Sequence, residues 1–337
     1  MIRHPNAAPP ESVVIVRLSA LGDTVHVMPM VASLRNAWPE TRISWVVQPT
    51  THRLMAPHPD VDEFLVFERT GGMRAYARLR RALIGRTWDL ALVPHTALKA
   101  GLVAAMIRAP RKLGYDRARA REFHRLFTTE SIAAHAPQHM QDEFLEFLHH
   151  LGVEPRLKWD FAFSEQERTA QREWFAGFDR PVLAVVLHTS RPDKNWIAER
   201  YSRVLEAAEE DLGLQTMIVG GITPQEESLA AEVKQRTGAT PIDARADDVR
   251  RLAWLLDGSA LTLSPDTAPL HISVALGTPT VGMFATTDPK RVGPYGRYQD
   301  LTVDKFGPNG SMHAIEVSDV MNKLQLAAAT YLTRRAE

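Results

Sequence analysis

Four short segments of this chain combine residue types that can move a proton or hold a phosphate. In Val13-Val-Ile-Val-Arg-Leu-Ser-Ala-Leu-Gly22-Asp23, a β-branched run passes through a polar turn into Thr24–Trp38, which reads as a helix. Gly22 permits a tight backbone, and Asp23 stands where the run ends. A carboxylate there can accept a proton from a hydroxyl within hydrogen-bond reach. It can equally well cap the helix that follows, and position alone does not separate the two roles. In Leu187-His-Thr189-Ser190-Arg-Pro-Asp-Lys194-Asn-Trp196, two hydroxyls and a compact cation follow another apolar run, a set suited to a diphosphate or to an ordinary polar loop. In Ser264-Pro-Asp266-Thr267-Ala268-Pro-Leu-His271, Asp266 fits a helix N-cap and Pro269 the first turn. The amides near Thr267 and Ala268 would then be open to an anion. Finally, Thr223 and Glu226 in Gly220-Gly-Ile-Thr-Pro-Gln-Glu-Glu227 have capping-box spacing. A glutamate there could also accept hydrogen bonds from a ribose diol, and helix phase leaves Glu226 and Glu227 both in play.

Other chemistries find little support. No Gly-x-Gly-x-x-Gly accompanies the first turn, which disfavours a dinucleotide-dependent oxidoreductase. Thirteen histidines show no metal-ligand spacing, so no metal and no cofactor is expected. The chain has no cysteine, which removes disulfides, thiolate sites and cysteine nucleophiles.

The elements that must position these segments alternate regularly. Strands are expected at Val13–Leu18, Ile43–Val47, Phe64–Phe67, Leu90–Val93 and Lys112–Tyr115. They are expected again at Val182–Leu187, Gln215–Val219, Ala260–Leu263 and Thr280–Phe284. Amphipathic helical stretches lie between them. Repeated βα alternation calls for parallel sheets, because parallel strands need a crossover helix. The fold class is therefore α/β, with two Rossmann-like domains. We expect residues 1–160 to form the first, 161–180 a linker and 181–316 the second. Residues 317–337 are expected as a helix that packs back on the first domain. In open sheets of this kind ligands sit beyond the carboxyl ends of the strands, which is where all four segments lie.

Apolar content of 45% and charged content of 24% fit a globular protein, and no apolar run is long enough to span a bilayer. Residues 1–10 read as a short frayed tail rather than a signal peptide. Net charge is zero, but between Arg69 and Arg125 fourteen Lys and Arg face only Asp89, Asp116 and Glu122. That surface favours an anionic partner such as a phosphate or a lipid head group.

Together these segments resemble the lipopolysaccharide heptosyltransferases of glycosyltransferase family 9. The resemblance spans nearly the whole chain. It rests on Leu21-Gly-Asp23 with Pro29, Leu187-His-Thr-Ser with Asp193-Lys194-Asn-Trp196, and Ser264-Pro-Asp-Thr-Ala-Pro-Leu-His271. Thr287-Asp-Pro289, Gly293-Pro-Tyr-Gly296, Gly114-Tyr-Asp and Arg119-Ala-Arg121-Glu add to it. The resemblance implies a GT-B enzyme, with two domains facing across a cleft. It implies transfer of L-glycero-D-manno-heptose from ADP-heptose to the Kdo of lipid A, with inversion, at the cytoplasmic face of the inner membrane. By the same resemblance Asp23 is the general base. Thr189, Ser190, Lys194, Glu226, Asp266, Thr267, Ala268 and His271 hold the donor. Gly22, Arg69, Arg119, Arg121 and His139 are taken as the acceptor side. The expected partners are ADP-heptose, the anionic lipid-linked acceptor and the membrane surface, with no nucleic acid, and the protein is expected as a monomer. Another acceptor within the family, a nucleotide-sugar epimerase on the same fold and a non-catalytic sugar-binding protein are the competing readings.

Overall fold

A computed structural model describes residues 8–121 and 123–332. Most of the segment read as an N-terminal tail, and Glu122 of the Arg119–Glu122 motif, lie outside the described residues. The chain divides into two compact units between Ala162 and Phe163.

In the first unit the order is β1 (Ser12–Val16), α1 (Leu21–Val25), α2 (Met28–Ala37), β2 (Arg42–Val47), α3 (Pro49–Met55), β3 (Glu63–Val66) and α4 (Gly72–Leu83). There follow β4 (Leu90–Leu92), α5 (Leu98–Met106), β5 (Arg111–Gly114), β6 (Glu130–Ser131) and α6 (Met140–Leu151). The sheet runs β3-β2-β1-β4-β5-β6 and every pairing is parallel. Alternation along β1 sets the layering, because successive side chains leave a strand on opposite faces. Val13 and Ile15 join a core with Val31, Leu34, Phe144 and Leu148 of α2 and α6. Val14 and Val16 join the other core, with Ala75, Leu79, Val103 and Ala104 of α4 and α5. A sheet covered on both faces needs strands that are apolar throughout, and β1 is buried from Val13 to Val16.

The second unit comprises α7 (Glu165–Phe175), β7 (Val182–Val186), α8 (Ala198–Glu210), β8 (Gln215–Val219), α9 (Pro224–Arg236), β9 (Ile242–Asp243) and α10 (Val249–Gly258). It continues with β10 (Leu261–Pro265), α11 (Ala268–Leu276), β11 (Thr280–Phe284), α12 (Pro289–Val292), β12 (Thr302–Asp304) and α13 (Val317–Ala327). Its sheet runs β12-β11-β10-β7-β8-β9, again parallel throughout, so it repeats the strand order of the first. In both sheets the order reverses beside the first strand: between β1 and β4, and between β7 and β10. A crevice opens at such a switch point because neighbouring crossover helices leave to opposite faces.

The expected strands all form. Sequence reading missed β6, β9 and β12, edge strands of two or three residues, too short to show a period. Two boundaries differ from expectation. The stretch 161–180 is no linker: Ser164 and Glu167 close a capping box at the start of α7. Gln171 on that helix donates to the Trp254 carbonyl of α10 at 2.7 Å, and Arg250 grips Glu167 with two bonds of 2.6 Å. Helix α13, expected on the first domain, belongs to the second unit. Val320, Met321, Leu324 and Ala327 are buried in the second unit's core with Leu183, Leu205 and Val281, where its apolar stripe finds a face of that sheet to cover.

Candidate active site

Each unit concentrates its polar side chains at its own switch point, and the two groups are described separately. In the first unit, β1 runs out into Arg17, whose residue is only 7% exposed. A buried guanidinium needs partners. It pairs with the Asp23 carboxylate, donates to the Pro94 carbonyl beyond β4 at 2.7 Å, and lies 5.2 Å from the centre of the Phe144 ring. Asp23 occupies the third position of α1 and also accepts the Ala20 amide at 3.1 Å. It thus performs the reciprocal half of a capping box, while 30% of its side chain stays open to solvent. The structure therefore shows Asp23 both helping to start the helix and presenting a carboxylate at the sheet edge.

His95, two residues past Pro94's neighbour Val93, is buried, and its Nδ1 accepts the Leu18 amide at 3.3 Å. Burial, reinforced by the charges of Arg17 and Lys99, pushes its pKa down to about 2, so the ring is neutral at any physiological pH. Lys99 donates to Ser19 at 2.7 Å. Sequence reasoning missed Arg17, His95 and Lys99. A charged residue ending a four-residue apolar strand was the available signal for Arg17; nothing local marked the other two.

The acceptor-side expectations fare unevenly. Gly22 is buried within α1. His139 caps α6 by accepting the Gln141 amide at 3.0 Å, and its ring meets His26 edge-on at 5.7 Å. His26 and Gln141 exchange two further hydrogen bonds, of 3.1 and 2.9 Å, so the His139 cap is tied to the residues just after Asp23. Arg69 and Arg121 are exposed on segments following β3 and β5. Arg119 is a correction. Its guanidinium is occupied by Glu146 at 2.7 and 2.6 Å, Asp116 at 2.5 Å and the Ala133 carbonyl at 3.0 Å. These bonds raise its pKa, Glu146 contributing most. Arg119 fastens the loop after β5 to α6, with four of its five N–H donors spent on these partners.

In the second unit, the loops after β7 and β10 are drawn together by one ion pair. Lys194 Nζ lies 2.5 Å from Asp266 Oδ2 and 3.4 Å from the Asp266 carbonyl oxygen. The same carboxylate accepts from Thr287 at 2.7 Å, and His271 Nε2 lies 3.5 Å from its other oxygen. Burial works to raise the Asp266 pKa, but the His271 contact and the charge of Lys194 hold it well below the usual carboxylate range. Two expectations change here. Asp266 is not the cap of α11; Thr267 occupies that position and makes no side-chain cap, because the Asp266 carboxylate is turned to Lys194 instead. Lys194, in turn, is a paired cation. At the start of α11 only the amides of Thr267 and Ala268 remain to meet a ligand, since Pro269 has no N–H and the Leu270 amide donates to the Thr267 carbonyl at 3.1 Å.

Thr189 is 3% exposed and spends its hydroxyl on the loop. It donates to the Arg191 carbonyl at 2.7 Å and accepts the Arg191 amide at 3.1 Å, which leaves exposed Ser190 as the hydroxyl on the surface. Glu226 closes the capping box with Thr223 and also accepts the Gly221 amide at 3.0 Å. Burial opposes its ionisation, yet these bonds hold its pKa below the ordinary value. Of the two glutamates, Glu226 therefore turns back toward the end of β8, while Glu227 is exposed. Among the described residues, no three of His, Asp and Glu are gathered as metal ligands.

The sequence model of glycosyltransferase family 9 (heptosyltransferase) matches residues 76–322. The chain belongs to glycosyltransferase family 9. It is accordingly a glycosyltransferase enzyme. Among its relatives in that family is the lipopolysaccharide core heptosyltransferase OpsX of Haemophilus influenzae, 28% identical over 90% of this chain and 89% of its own length. The fold matches that of the family 9 glycosyltransferase from Veillonella parvula, with a TM-score of 0.81 at 21% identity over 95% of this chain and 97% of that one. It also matches the Escherichia coli heptosyltransferase WaaC solved with ADP, with a TM-score of 0.77 at 21% identity over 94% and 99%. This family 9 chain has one polar cluster at each switch point: Arg17, Asp23 and His95 in the first unit, Lys194, Asp266 and His271 in the second.

Proposed function

We propose that this enzyme builds the lipopolysaccharide core by transferring L-glycero-D-manno-heptose from ADP-heptose to the Kdo of lipid A, with inversion at the anomeric carbon. The observation that carries the reading is the second switch point, where Lys194, Asp266, His271 and the uncapped start of α11 meet. A cation and open helix amides side by side suit a diphosphate leaving group. The name of the OpsX relative supports a heptose and the lipopolysaccharide core, and the ADP bound to WaaC supports an adenosine diphosphate leaving group.

In this mechanism the acceptor hydroxyl gives its proton to Asp23 as its oxygen bonds to the anomeric carbon. The bond from that carbon to the diphosphate oxygen breaks, and its electron pair leaves with ADP. Arg17 fixes the carboxylate through the ion pair. General-base help of this kind contributes roughly 10²–10⁴-fold, and one preorganised donor to the leaving group on the order of 10²–10³. Lys194, Ser190 and the amides of Thr267 and Ala268 receive the charge on ADP; Glu226 accepts from the ribose; Arg69, Arg121 and His139 meet the acceptor. No metal is part of the proposal.

The test is a calorimetric screen of ADP- and UDP-sugars, followed by mass spectrometry with a Kdo-bearing lipid. Selective ADP-heptose binding and a product heavier by one heptose are expected. Asp23→Asn should bind ADP as the parent does and lose transfer by roughly 10²-fold or more. Wild-type turnover in that variant removes the base role, and a preference for UDP-sugars removes the donor assignment.

A further inference from the structure

The outer side of one layer in the first unit carries a pattern that the transfer chemistry does not use. Helices α4 and α5 and the 3-10 turn His124–Phe127 cover the same face of the sheet, with Leu79, Val103 and Phe127 directed into one core. The turn is seated closely on α5: a Cβ on Gly101 would stand 2.3 Å from the Phe127 ring. On the outer side of these elements large apolar groups stand in water. Phe123 and Leu126 are each 77% exposed and Met73 is 82% exposed, with Leu98 and Leu102 also exposed on α5. Leu98 and Leu102, four residues apart, share one helix face.

Arginines outnumber acids around them, although Glu68 is exposed and Glu122 adjoins Phe123 in the sequence. Arg74, Arg78, Arg80 and Arg81 are exposed on α4, and Arg117 and Arg125 are exposed beside Phe123 and Leu126. Of the acidic residues nearby, Asp116 is consumed by Arg119, Asp89 accepts from Ser12 at the far end of β1, and Glu68 pairs with Arg78. An ordinary solvated helix face mixes both signs and avoids exposed rings. Exposed Phe and Leu ringed by arginine are what an anionic bilayer binds, the apolar groups entering the acyl boundary and the cations meeting lipid phosphates.

We infer that this face docks on an anionic membrane surface, with Phe123 and Leu126 inserted and Arg117, Arg125 and the α4 arginines on the head groups. The inference does not depend on which sugar is transferred, and it gives residues to the membrane contact expected from sequence.

Co-sedimentation with acceptor-free vesicles tests it. Wild-type protein should bind phosphatidylethanolamine–phosphatidylglycerol vesicles, fail to bind phosphatidylcholine vesicles, and release as salt rises. Phe123→Asn with Leu126→Ser should weaken binding roughly tenfold or more; Asn is chosen because Phe123 has a φ of 62°. Arg117→Gln with Arg125→Gln should weaken it about fivefold per arginine at low salt. Transfer to a soluble, lipid-free Kdo acceptor should be unchanged in the Phe123/Leu126 variant, with its thermal melt as the folding control. Equal binding to neutral and anionic vesicles, full binding by the folded Phe123/Leu126 variant, or no vesicle binding by the wild type each overturns the inference. The soluble-acceptor assay reports separately on the transferase reading.

Discussion

Replacing Asp266 by Asn takes one charge out of the second unit's polar cluster while keeping its shape. The carboxylate is 7% exposed on its side chain and Lys194 13%, so neither ion can recover its lost partner from bulk water. Two opposite unit charges interact by about 4 kcal/mol at 4 Å for an effective dielectric near 20, and Lys194 approaches to 2.5 Å. Part of that attraction offsets desolvation already incurred on folding, and the asparagine oxygen still accepts from Thr287. Removing one partner of a buried pair costs about 3–5 kcal/mol, and we place Asp266→Asn at the lower end, about 3 kcal/mol. For a unit of this size that lowers its melting temperature by roughly 6–12 °C. The pH dependence fixes the cause. Because the native pKa of Asp266 is depressed, its contribution is complete above the unfolded value near 4 and is lost progressively as pH falls from there toward the native value. Differential scanning calorimetry of parent and variant at pH 7 and at pH 3 measures both effects. The gap should be wide at pH 7 and shrink at pH 3. A melting temperature within 2 °C of the parent at pH 7, or the same gap at both pH values, refutes the electrostatic account.

Glu226→Ala should lose about 1 kcal/mol of stability with its capping box and weaken ADP binding about tenfold, the loss of one hydrogen bond to a charged group. Calorimetric titration with ADP decides it, since a stability loss at unchanged affinity would assign Glu226 to the cap alone. Arg119→Met strands Asp116 and Glu146 in a half-buried site and should destabilise the first unit by about 3 kcal/mol, whereas Arg119→Lys, without the planar fork, should restore only part; denaturant titration compares them. Buried neutral His95, with a pKa near 2 against 6.5 unfolded, contributes stability that is complete above about pH 6.5 and is lost at about 1.4 kcal/mol per pH unit below it. His95→Gln should flatten that slope in urea unfolding between pH 4 and 6.5, and an unchanged slope would place the titration elsewhere.

Much of this enzyme was legible before any coordinates. Local rules sufficed wherever a pattern spans several residues. The apolar, β-branched runs mark nine of the twelve strands, their alternation with helical stretches marks two parallel sheets, and the segments after those strands hold the residues gathered at the switch points. The capping boxes at Thr223 and Glu226, and at Ser164 and Glu167, are both written in four-residue spacing.

What folding alone decided are partnerships between distant residues. Nothing near Asp266 in sequence announces Lys194, 72 positions away; parallel pairing of β7 with β10 brings their loops side by side and turns an expected helix cap into an ion-pair acceptor. The same adjacency of β1 and β4 gives Arg17 the Pro94 carbonyl and Leu18 the His95 ring. The family resemblance puts Arg119 on the acceptor side, and only the packing of α6 against that loop shows its charge already met. Sequence sets which groups can do chemistry, since that depends on side-chain type and local periodicity. Whether a charge is free or already neutralised depends on what the sheet order places within a few ångströms, and that is a property of the fold.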